Sequence, residues 1–140
     1  MKTCIRHLSF VLLFLMVGCC AAQAQSNSKM ESLGSALILL IPSVDEVVCC
    51  DSKAEGMSDD ELLRYATSNN PKKLDPFVDY TLKVKRQNGH AAVLVCTADG
   101  QTALLEDAGC TFKMEQHHWK ASPALPCDFT LDLDTVCPGP

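Results

Sequence analysis

Residues 77–106 read FVDYTLKVKRQNGHAAVLVCTADGQTALLE, and their spacing decides the fold. Val78, Tyr80, Leu82 and Val84 alternate with Asp79, Thr81, Lys83 and Lys85, the period of two that gives a strand one dry and one wet face. Asn88-Gly89 and Asp99-Gly100 suit two-residue hairpin turns, whose geometry requires positive φ. Residues 91–97 are then the return strand and 102–106 the third strand. In this register Val84 faces Val93, Leu82 faces Val95 and Val95 faces Leu104. Leu94 lies beside Leu105 on the opposite face, and Cys96 beside Thr81 and Ala103. A slip of one residue would reverse every side chain, so this mutual agreement predicts a three-stranded antiparallel meander.

Upstream, the period is that of a helix. Met30, Leu33, Leu37, Leu40, Val44, Val47 and Val48 fall on one face. Pro42 lacks an N–H and crowds the preceding turn, which predicts one helix ending near Ile41 and a short one over 43–50. Leu37 to Ile41 is apolar on all sides, which predicts a central place in the core. Ser58 and Glu61 have capping-box spacing, Met57 and Leu62 can form the hydrophobic staple, and Asp59, Asp60 and Glu61 suit the positive end of a helix dipole. That helix is expected to run to about Ser68, before Asn69-Asn70-Pro71. Downstream, alternation over 110–115 and 128–134 predicts two weaker strands around a loop that holds His117, His118 and Trp119. The fold class is therefore α+β: N-terminal helices packed on one face of an antiparallel β-meander of three to five strands, stabilised by disulfides.

The first residues read as an address. Lys2 and Arg6 precede an apolar run over 8–17, and Ala22-Gln23-Ala24 supplies a small-x-small end. This predicts a signal peptide over 1–24 and a single α+β domain over 25–140. A competing reading lipidates Cys19 in Met16-Val17-Gly18-Cys19. Cysteine parity favours the cut after Ala24. The whole chain has 9 cysteines, and six remain after the cut: Cys49, Cys50, Cys96, Cys110, Cys127 and Cys137. Six suits three disulfides in an oxidising compartment, periplasmic in a bacterium and otherwise extracellular. Adjacent Cys49 and Cys50 are expected to bridge to two different partners, and Cys110 to pair with Cys127 across the His-His-Trp loop. No segment beyond the leader reads as long enough to span a membrane, since Pro42 interrupts the longest apolar run.

Charge and motifs exclude more than they identify. The full chain carries −5, and removal of the leader leaves 10 basic against 17 acidic residues, or −7. Nucleic-acid binding would need a basic patch, so no nucleic-acid partner is expected. No Gly-x-Ser-x-Gly elbow, phosphate loop or Cys-x-x-Cys zinc spacing occurs, so no catalytic residue, cofactor or metal ligand is assigned. His117, His118 and Trp119 have the composition of a recognition patch, with a plug at the end of the core as the alternative for Trp119. Glu106 and Asp107, with Asp99, Asp128, Asp132 and Asp134, form candidate acidic features that would steer a basic partner. The expected function is an exported, non-enzymatic binding protein of inhibitor or immunity type that neutralises a basic toxin or lytic enzyme in the cell envelope. The alternatives are a small envelope hydrolase and a metal-binding protein using His117, His118 and a cysteine or methionine.

Overall fold

The computed structural model describes residues 5–111 and 117–137, with side chains described for 26–111 and 118–137. The chain forms two compact units, Met1–Ser32 and Leu33–Pro140. Helix α1, Ile5–Cys50, supplies the described backbone of the first unit and opens the second.

In the second unit, α1 buries Leu33, Leu37, Leu40, Ile41 and Val44, the face that its periodicity predicts. Two expectations are corrected here. Pro42 lies inside the helix and does not end it. Its ring is on the exposed side, where the Ile38 carbonyl that loses its N–H partner can turn to water. For the same reason Leu37 to Ile41 is not buried all round. Ile38 is 46% and Leu39 67% exposed, because only one side of the helix meets the sheet. Uninterrupted by Pro42, the 25 residues Ser26–Cys50 are long and apolar enough, by length and composition alone, to cross a membrane.

Helix α2, Asp59–Ala66, starts at the expected capping box: the Glu61 carboxylate accepts from the Ser58 N–H at 2.9 Å, while Ser58 Oγ accepts from the Glu61 N–H at 3.4 Å. It stops two residues short of Ser68, with Thr67 as its C-cap. A 3₁₀ helix, Pro71–Phe77, and a turn over 78–80 precede the first strand, which starts at Thr81, later than the alternation predicts. Val78 is consequently 78% exposed instead of facing inward.

The sheet has the order β1-β2-β3, formed by Thr81–Gln87, His90–Cys96 and Ala103–Ala108. Asn88 and Gly89 both have positive φ, as the first hairpin requires. Leu82 opposes Val95, Val84 opposes Val93 and Cys96 opposes Ala103, as read from the sequence. Val95, however, opposes Leu105 and not Leu104, because a bulge between Val95 and Cys96 shifts the register. The shift sets Glu106 opposite Leu94 and Asp107 opposite Val93.

Residues Ala91 to Cys96 of β2 are all 0% exposed, so the central strand is covered on both faces. The N-terminal helices pack on one. On the other, Ala92, Leu94, Cys96, Ala103 and Ala108 pack against Cys127, Phe129, Leu131, Leu133 and Cys137. This second cover is not the expected pair of strands. Residues 128–132 form no strand, Leu133–Val136 is a short helix, α3 in chain order being His117–Lys120 and this one α4, and residues 112–115 of the other expected strand lie outside the described residues.

The cover is held by other means. Lys83 Nζ donates to the Cys127 carbonyl at 2.7 Å, and Lys85 Nζ to the Leu131 carbonyl at 2.8 Å. Disulfides Cys96–Cys127 and Cys110–Cys137 close separations of 31 and 27 residues, stabilising by about 3–4 kcal/mol each through loop-closure entropy. The Cys110–Cys127 pairing is thus corrected. The Thr102–Pro126 bridge carries Cys127 to the end of β2, and α4 carries Cys137 to the end of β3.

One corner admits no extra atom. A Cβ at Gly109 would stand 2.2 Å from Asp45 Cβ, while Asp45 Oδ1 accepts the Ala91 N–H at 2.7 Å. Gly109→Ala is expected to lower the urea midpoint, at a cost of about 1–3 kcal/mol for overpacking. An unchanged midpoint would show that α1 can retreat from β2 without loss.

Candidate functional site

Strand β3 delivers two consecutive carboxylates to opposite faces of the sheet. Glu106 is 0% exposed on the face under the C-terminal segment. Its Oε2 accepts the Thr130 N–H at 3.0 Å, and the Thr130 hydroxyl donates to Oε1. His118, on α3, is 2% exposed, and its Nε2 lies 3.1 Å from Glu106 Oε1. A buried carboxylate is tolerated only with such partners. The cluster therefore joins β3, α3 and the C-terminal segment.

Asp107 turns the other way, beside Val93, and is 2% exposed. Desolvation pushes its carboxyl up to about 6, against the downward pull of the Ala108 N–H and the Thr111 hydroxyl. Its Oδ1 has no hydrogen-bond partner among the described residues.

The surface reading of Glu106, Asp107 and His118 is corrected by this burial: all three side chains are internal, because the bulge and the C-terminal cover enclose β3. Trp119 is half-buried, with Lys120 Nζ 5.2 Å from its ring centroid. The His117 side chain lies outside the described residues. Asp99, Asp128, Asp132 and Asp134 are exposed. Thr130, Lys83 and Lys85 were not singled out from the sequence, although the wet-face position of both lysines on β1 was legible there.

The cysteines divide into two classes. Cys49 and Cys50 are free and exposed at the end of α1, not bridged to separate partners. Cys50 Sγ donates to Cys49 Sγ at 2.6 Å, which raises the Cys50 thiol pKa, with burial and then the charges of Cys49, Glu46 and Asp45 adding to the rise. They line a cavity of about 350 Å³ together with Asp51, Ser52, Glu55 and Arg86.

Brief alkylation of the folded, unreduced chain is expected to modify Cys49 and Cys50 and to spare Cys96, Cys110, Cys127 and Cys137, as read by peptide mass mapping. Modification of any of the last four would contradict the pairing. Asp107 makes a second prediction. A folded-state pKa near 6, above the ordinary 3.8, means that the native chain holds this proton more tightly than the unfolded one. Its contribution to stability therefore falls as pH rises through that interval, and the full penalty applies above about 6. Asp107→Asn should flatten that fall and raise the melting temperature at pH 7 more than at pH 4; an equal change at both would overturn the assignment. Comparison with protein-family models, with curated proteins and with solved structures gives no match.

Proposed function

We propose that the chain is a non-enzymatic binding protein that docks a basic protein partner through its acidic C-terminal segment. The supporting observation is how that segment is neutralised. Lys83 and Lys85 donate their ammonium groups to the carbonyls of Cys127 and Leu131, and neither forms an ion pair among the described residues. Asp128, Asp132 and Asp134 are left exposed, and none of them forms an ion pair among the described residues. Unneutralised carboxylates on a rigid, disulfide-held support attract a cationic surface and speed its docking. One acid–base pair that a hydrolase could use, Glu106 and His118, lies buried in the interior, with Glu106 bound to Thr130.

In its specific form the proposal is an exported inhibitor or immunity protein directed at a basic toxin or lytic enzyme of the envelope. The apolar helix near the N-terminus and the two disulfides support export into an oxidising compartment.

The test immobilises the full-length chain against envelope and secreted proteins and measures any captured partner by calorimetry at rising salt. A basic protein is expected whose affinity falls with salt. It should weaken by about tenfold or more in Asp128→Asn/Asp132→Asn/Asp134→Asn, since loss of several steering charges costs more than about 1.4 kcal/mol. Asparagine preserves the cap that Asp132 provides for α4, so the melting temperature serves as the folding control. Salt-independent binding, full affinity in the triple variant, or turnover of a wall or lipid substrate would each overturn the proposal.

A further inference from the structure

We propose that His90, Cys110 and Cys137, with Asp45, form a metal site that the Cys110–Cys137 disulfide keeps closed and that reduction by a thiol opens to a borderline-soft divalent cation such as Zn²⁺. The residues come from four separate places: the start of β2, the turn after β3, the residue after α4, and α1. A ring nitrogen of His90 and the two sulfurs nevertheless lie within 4.8 Å of one another. His90 Nδ1 is enclosed and has no hydrogen-bond partner among the described residues. It lies 3.5 Å from Asp45 Oδ1. Two ligands each about 2.0–2.1 Å from a tetrahedral zinc stand roughly 3.3 Å apart, so this pair already has the spacing of one edge of the tetrahedron.

That edge does not depend on the disulfide. The Ala91 N–H holds Asp45 Oδ1, and the Asp45 side chain fills the space that a Cβ at Gly109 would take. The other two corners are the sulfurs. Bonded to each other they are weak donors; as thiolates they are strong zinc ligands. The balance is simple. Two external thiols become one external disulfide, and the Cys110–Cys137 bond takes up their two electrons and two protons to give two cysteine thiols. Binding of the cation releases those two protons to solvent. The metal then joins the end of β3 to the C-terminal segment where the disulfide had done so.

The experiment uses the full-length Cys49→Ser/Cys50→Ser chain, which lacks the competing exposed pair, and titrates it with Co²⁺ before and after reduction. The reduced chain is expected to bind one Co²⁺ with thiolate-to-cobalt charge transfer and tetrahedral d–d absorption, and the oxidised chain none. Zn²⁺ should displace the cobalt and protect Cys110 and Cys137, but not Cys96 and Cys127, from alkylation. His90→Ala should weaken uptake by at least about tenfold, the lower end of what losing an outer-shell partner alone costs. Zinc binding contributes directly to folding, so a C-terminal segment loosened by reduction should regain its order when Zn²⁺ is added. Absence of cobalt uptake by the reduced chain, uptake unchanged by His90→Ala, or protection that falls on Cys96 and Cys127 would overturn the proposal.

Discussion

The structure depends on one constraint: β2 is apolar on both faces. A strand of the run Ala91-Ala92-Val93-Leu94-Val95-Cys96 cannot leave either side in water, so the three-stranded sheet needs two covers. The helices provide one, through the buried stripe of α1 and the capped α2. The other comes from a segment with almost no regular structure. Such a segment has no ladder to satisfy its own backbone, which is why the lysines of β1, the carboxylate of Glu106 and two disulfides all converge on it.

The edges are settled by the same parts. Strand β1 is half-buried along its length, and an open edge invites pairing with another chain. Asp59, in the first turn of α2, accepts the Val84 N–H at 2.9 Å, and its other oxygen lies 3.5 Å from Arg86. Arg86 in turn donates to the carbonyls of Ala54 and Met57. An acidic residue expected to favour the start of the helix thus also blocks the sheet edge beside it.

Much of the fold was legible because it rests on local rules. The meander followed from period two and two glycine turns, and the α2 start from a four-residue signature. The α1 face followed from its spacing. What was not legible depends on tertiary context. A bulge leaves no signal in ALLED, yet it decides that Glu106 faces the C-terminal segment while Asp107 faces the opposite side. Pro42 reads as a stop, but it is tolerated where the helix faces solvent. Alternation in DFTLDLD predicts a strand, whereas those residues alternate only because one side lies on a sheet face already present. Of the candidate site, the residue types were found and their exposure was not. Burial of Glu106 and His118 follows from a cover that no local pattern encodes.

The order of the elements along the chain has a consequence for assembly. The N-terminal cover and the whole sheet are synthesised before the second cover exists. Both disulfides join a cysteine at the end of a sheet strand, Cys96 or Cys110, to one in the segment that follows the sheet, Cys127 or Cys137. Neither bridge can close until its later cysteine has been made. Until residues 127–137 are made, the face carrying Ala92, Leu94 and Ala108 lacks the segment it rests against. Maturation is therefore vectorial: the helical layer can dock first, and the finishing step waits for residues 127–137.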